Sequence, residues 1–178
     1  MRDLSVLDSE FEQKVEEVIS KCFNDGFDLR PFYTRRDPWT QAKLWRQSRS
    51  TAQINKAIKM LKDMGVTWIA TVLESVGPQF GRWATNALPG QSWHQFDEGV
   101  DCFVLNKQRN ACWSSRHPGY ICYAQHAKEV GLFAGFFWEH PDAVHLQKRE
   151  YKVLNYFTWH EIEERLINTF GDNPVYME

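Results

Sequence analysis

Ser92, His94 and Asp101 fall in the order Ser-x-His-x6-Asp within TNALPGQSWHQFDEGVDCF, and further along the chain Asp142 and His145 form an acid-x-x-His pair. Two imidazoles with one carboxylate are a ligand set for catalytic zinc. His94, Asp101 and His145 would supply three protein groups and leave a fourth coordination position open for water. Such a water falls to a pKa of about 7, and a second carboxylate just beyond the metal can take its proton and hand it to a leaving amine. Asp142 is the candidate for that base.

These side chains must be positioned by the elements around them. His94 follows GPQFGRWATNALPGQ, a stretch too rich in Gly and Pro for either helical or strand periodicity, which predicts a long surface loop. Asp101 sits in GVDCFVL, 99–105, whose β-branched and aromatic residues predict a strand. A reversal of the chain between the two would bring both side chains to one point. In a regular strand Asp142 and His145, three apart, would face opposite ways. Pro141 predicts a turn before the strand, with Asp142 outside the ladder and His145 pointing in from it.

The remaining elements follow an α+β order: a small antiparallel sheet with helices packed around it and the zinc site at the sheet's open face. Residues 9–24 read as a helix with a Ser9/Glu12 capping box, a stripe of Phe11, Val15, Ile19, Cys22 and Phe23, and a stop at Gly26. FDLRPFY, 27–33, reads as a strand that Pro31 confines to a sheet edge. Asp37 and Pro38 open a helix to about Gln47, and 52–63 is a further helix closed by Gly65. Pro118 to Val130 is a helix ending at Gly131, 133–138 and 143–147 are short strands, and Thr158 with Glu161 caps a last helix to about Phe170.

At 178 residues, 43% hydrophobic and 25% charged, the chain reads as a single domain, 1–178, able to bury about 70% of its unfolded surface. A net charge of −2 without like-charge blocks gives no reason to expect nucleic acid or an anionic membrane as partner. No stretch approaches the roughly 18 apolar residues of a membrane span, and the polar opening MRDLSVLDSEFEQKVEEV lacks a signal-peptide core, so cytoplasmic synthesis is expected. Cys22, Cys102, Cys112 and Cys122 have neither CxxC nor disulfide-scaffold spacing and are read as reduced and mostly buried. A Cys112-His117-Cys122 knuckle is the sharper alternative. His117, His126 and His160 are read as structural. His140, beside Pro141, is read as a turn residue, with replacement of a ligand or a contact to one as its alternative.

Taken together, Ser-x-His-x6-Asp and Asp-x-x-His resemble the zinc D-alanyl-D-alanine carboxypeptidase family, which includes the L-alanyl-D-glutamate endopeptidases of phage endolysins and the vancomycin-resistance D,D-dipeptidases. TNALPGQSWH resembles the approach to the first histidine in the endolysin-like branch, and RRDPWTQAKLW its Arg-x4-Gln-x2-Leu-aromatic helix start. The resemblance runs from about Phe27 to Gln147 and leaves the tail, 148–178, outside it. It implies that His94, Asp101 and His145 bind Zn2+, that Asp142 is the general base, and that Ser92 lies near substrate. It also implies that Arg36 points at the scissile carbonyl or a substrate carboxylate. Arg35 is the adjacent alternative; the spacing to Gln41 favours Arg36. The chain departs from the family at Asp97 and Gly99, where Gly and Ala are usual, and an acid there puts strain or charge beside the metal.

The expected function is a monomeric zinc peptidase cutting the stem peptide of peptidoglycan or a muropeptide, with L-Ala-D-Glu the favoured bond. Its wall target implies release from the cytoplasm, as for a phage lysis protein, or action on recycled muropeptides. A D-Ala-D-Ala carboxypeptidase or dipeptidase on the same site is one alternative. A relative that binds peptide without turnover is another.

Overall fold

The structure is a computed structural model, and it describes residues 3–176. The fold is α+β: among the described residues there are six α-helices and one five-stranded antiparallel sheet. The chain divides into two compact units, one formed by the chain up to Arg35 together with Phe96–Glu150, the other by Arg36–Gln95 together with the chain from Tyr151 onward.

The first unit holds the whole sheet, with β1 (Asp28–Tyr33), β2 (Gly99–Leu105), β3 (Ala111–Cys112), β4 (Phe133–Ala134) and β5 (His145–Gln147). The order is β1-β2-β5-β4, and β3 pairs with β2 beyond them. β1 is an edge strand, as Pro31 predicts. α1 (Ser9–Asn24) and α5 (Pro118–Glu129) complete this unit. Phe11, Val15, Val18 and Cys22 from α1 meet Tyr120, Tyr123, Ala124 and Ala127 from α5, together with Leu29, Val100, Val104 and Leu146 from the sheet. Truncating a fully buried ring such as Phe11 costs about 3–5 kcal/mol.

Two local readings need correction. The cap of α1 is Asp8, whose carboxylate accepts the Phe11 N–H at 3.1 Å, rather than a Ser9/Glu12 box. Asp8 and Ser9 are both good caps, and the choice falls to the residue just outside the helical turn. The expected strand at 133–138 stops at Ala134 and continues as a 3-10 turn over Gly135–Phe137. The Gly135 carbonyl accepts both the Trp138 and the Asp142 N–H, which bends the chain out of the ladder.

The second unit is helical: α2 (Pro38–Arg46), α3 (Thr51–Asp63), α4 (Thr67–Ser75) and α6 (Trp159–Phe170). Asp37 caps α2, a Ser50/Gln53 box caps α3, and the Thr158/Glu161 box caps α6. α4 has no local cap, and the sequence gives no start signal for it. Its orphan donors are met from a distance: Glu163 of α6 accepts the N–H groups of Trp68 at 2.6 Å and Ile69 at 3.1 Å. Residues 77–92 form no helix or strand, as expected of the Gly/Pro-rich loop, and Gly90 within it leaves no room for a side chain, because a Cβ would come 2.5 Å from Ile162. No helix among the described residues is long and apolar enough to cross a membrane.

Candidate metal centre

β2 and β5 run antiparallel with Asp101 directly opposite His145, so the two side chains stand on the same face of the sheet. His145 Nδ1 lies 2.9 Å from Asp101 Oδ1. Only 7% of His145 and 9% of Asp101 is exposed, a degree of burial at which charged groups need partners. Burial alone pulls the His145 imidazole down. The hydrogen bond and charge of Asp101, then the charge of Asp142 and the oxygen of Gln147, outweigh it and hold its pKa above the ordinary 6.5.

His94 lies in a 3-10 turn, Trp93–Phe96, that ends the Gly/Pro-rich segment and leads toward β2. The turn is tied down on several sides. The His94 carbonyl accepts the Arg36 N–H at 3.0 Å, the Trp93 indole N–H donates to the Tyr151 carbonyl at 2.9 Å, and Gln95 Oε1 accepts the Gly90 N–H at 2.7 Å. Asp101 and His145 set a carboxylate and an imidazole side by side, an arrangement compatible with a metal ion and not selective for zinc, and His94, in the other unit, carries the second imidazole of the expected set. Imidazole and carboxylate donors of this kind fit a borderline divalent cation.

Asp142 stands outside the ladder, as its place after Pro141 predicts. β5 begins at His145, whose N–H donates to the Asp142 carbonyl at 3.2 Å, while the Asp142 N–H donates to the Gly135 carbonyl at 2.9 Å. Its side chain is exposed, and its charge reaches His145. A Cβ on Gly135 would meet the Asp142 carbonyl oxygen at 2.5 Å, so Gly135 is needed for this close approach. That requirement is tertiary and leaves no sequence signal. His140 and Glu139 are exposed, and neither joins the metal-ligand group.

The two arginines differ in environment. Arg35 is ion-paired with Asp97, Nε to Oδ1 at 2.6 Å. Asp97 itself has φ 60, the left-handed region where Asp is tolerated better than most residues. The acid that departs from the family pattern thus holds Arg35. Arg36 is buried, its Nη1 donates to Gln41 Oε1 at 3.1 Å, and Gln41 Nε2 donates to the Ala87 carbonyl at 2.7 Å. The Arg36-x4-Gln41 spacing therefore corresponds to a direct contact that fixes the guanidinium. Ser92 is half-buried, and its carbonyl accepts the Gln95 N–H at 3.0 Å.

Gln147 is the residue the sequence reading missed. Two after His145 on β5, it shares its face, and its Oε1 lies 3.2 Å from His145 Nε2 while its Nε2 donates to the Arg149 carbonyl at 2.6 Å. The period-2 spacing was the available signal. The Cys112-His117-Cys122 knuckle does not form a metal-ligand group; His117 instead caps α5, accepting the Gly119 N–H at Nδ1. No protein-family model matches the chain, and no curated protein matches it.

Proposed function

We propose that the chain is a zinc-dependent peptidase of the D-alanyl-D-alanine carboxypeptidase type that hydrolyses the L-Ala-D-Glu bond of the peptidoglycan stem peptide. The observation that carries this reading is the pairing of Asp101 with His145 across β2 and β5, with the Asp142 charge acting on the same imidazole. His94, Asp101 and His145 would hold Zn2+, which would supply an acidified water and a Lewis acid for the scissile carbonyl. Asp101 would neutralise part of the cation's charge, and Gln147, accepting a hydrogen bond from His145 Nε2, would leave Nδ1 as the ligating nitrogen. Asp142, exposed and outside the ladder, takes a proton from the attacking water and returns it to the departing amine. Arg36, its fork fixed by Gln41, offers positive charge to the developing oxyanion or to a substrate carboxylate. Ser92 contacts the peptide close to the first histidine. Action at the cell wall suits a phage lysis enzyme.

Digestion of purified muropeptides with the zinc-loaded chain, followed by mass analysis and mapping of new amino termini, tests the proposal. New D-Glu amino termini support it. Release of D-Ala alone moves the bond to the carboxypeptidase alternative, and intact muropeptides in the presence of bound zinc leave a peptide binder instead of an enzyme.

A further inference from the structure

A second set of metal-ligating side chains lies within the first unit, apart from His94, Asp101 and His145. It joins the end of α1 to the middle of α5. Cys22 stands in the last turn of α1 and Asp25 at its C-cap, while Cys122 and His126 are four apart on α5 and so share a face. Donor atoms of Cys22, Cys122 and His126 converge within 4.8 Å. The two sulphurs are 3.6 Å apart, Cys122 Sγ is 3.6 Å from Asp25 Oδ2, and Asp25 Oδ2 is 2.7 Å from His126 Nε2.

From this geometry we infer a second cation site, with Cys22 Sγ, Cys122 Sγ, His126 Nε2 and Asp25 Oδ2 as ligands for a thiophilic divalent ion of the Zn2+ class. With Zn–S about 2.3 Å and Zn–O about 2.0 Å, a tetrahedral centre sets two sulphurs about 3.8 Å apart and a sulphur and an oxygen about 3.5 Å apart. Both observed distances sit close to those values. A disulfide needs its sulphurs at about 2.05 Å, so the pair is placed as two separate thiols. The imidazole and the carboxylate, now hydrogen-bonded to each other, must part to admit the ion, and Asp25, which lies outside the group of three converging donors, must turn in to complete the set.

The surroundings of the histidine favour ligation. His126 Nδ1 lies 3.0 Å from Glu129 Oε2, and Lys21 in turn pairs with Glu129 at 3.3 Å. A carboxylate behind one ring nitrogen orients the imidazole and leaves the other nitrogen to the metal. Cys22 is fully buried and Cys122 nearly so, whereas the Asp25 side chain is 54% exposed, which leaves an entry path from solvent. Burial raises both thiols above their ordinary range, so without a cation they remain protonated and are poor nucleophiles. Binding would tie the end of α1 to α5 and thereby brace the first unit. Soft sulphur ligands select zinc-like ions over magnesium or calcium.

The test is titration of the metal-free, reduced chain with Co2+. Thiolate ligation produces an intense near-ultraviolet charge-transfer band, and His94, Asp101 and His145 contain no sulphur to give one. The expected result is that this band grows to the strength of one thiolate-bound Co2+ per chain in the wild type, is lost in Cys122→Ser, and persists in His145→Ala. If Cys122→Ser does not fold, His126→Gln, at a partly exposed position, should weaken the band-forming Co2+ binding at least about tenfold. Absence of the band in the wild type overturns the inference, as does a full-strength band in Cys122→Ser or His126→Gln or a Cys22–Cys122 disulfide in the purified chain. None of those outcomes bears on the proposed peptidase, whose zinc ligands are different residues.

Discussion

The amide oxygen of Gln147 stands 3.2 Å from Nε2 of His145, two residues earlier on the same strand face, while Asp101 Oδ1 stands 2.9 Å from Nδ1 of the same ring. The amide oxygen of Gln147, whose amide nitrogen is committed to the Arg149 carbonyl, can only accept. It therefore takes its hydrogen bond from an Nε2 proton, and Nδ1, which faces the Asp101 carboxylate, is the nitrogen that would ligate once an ion displaces its own proton. Gln147→Ala should weaken Zn2+ binding at this centre by about 10–100-fold in a chelator competition, and Gln147→Glu should restore much of it. Unchanged affinity in Gln147→Ala would mean that the ring is oriented by other contacts.

Asp142→Asn nearly conserves shape but removes the proton acceptor. Zinc content should stay the same while turnover on muropeptide falls by about 10²–10⁴-fold. Gly135→Ala, whose Cβ would come 2.5 Å from the Asp142 carbonyl oxygen and 3.3 Å from the His145 Cβ, should reproduce part of that loss. A wild-type rate in Asp142→Asn would move the base to another acid, with Glu139 next in line.

Arg35 and Arg36 should separate cleanly. Arg35 is exposed and paired with Asp97, a contact whose loss costs about 1 kcal/mol at most. Arg36→Ala should lower kcat/KM strongly, and Arg36→Lys, a point charge without the planar fork, should recover only a fraction. Equal small effects at both positions would remove arginine from the mechanism.

The parts legible in the sequence are those fixed by neighbours along the chain. Asp37-Pro38, Thr158-x-x-Glu161 and the alternation of GVDCFVL each carry their element's cause within a few residues, and the structure has all three. The placement of Asp101 in β2 and of Asp142 outside the ladder ahead of His145 was legible because GVDCFVL alternates as a strand and Pro141 sets the turn before β5. α4 was not, since Glu163 caps it from another helix. Gly135 was missed because its small size matters only against the Asp142 backbone, and Cys22 with His126 because two helices must pack before either half finds its partners.

Stability toward acid should depend on Asp8. Its hydrogen bond to Lys148 at 2.7 Å, foremost among the causes, lowers its carboxyl below the ordinary 3.8. A depressed folded-state value means the stabilisation is fully present above 3.8 and is lost as pH falls through the lower folded value. Asn caps a helix as well as Asp, so Asp8→Asn should keep α1 capped and remove only the charge-dependent part. Urea unfolding at about pH 6 and about pH 3 should show a smaller acid loss in the variant, by less than about 1 kcal/mol given the exposure of the pair. Identical losses would assign the acid sensitivity to other carboxylates, Glu10 first among them.

The central claim is that His94, Asp101 and His145 hold one metal ion. An anomalous difference map, recorded at the zinc absorption edge from crystals of the zinc-loaded chain, tests it directly. The account predicts a peak at about 2.0–2.2 Å from an imidazole nitrogen of His94, Nδ1 of His145 and a carboxylate oxygen of Asp101. Zinc-loaded crystals with no peak among these three side chains would contradict it.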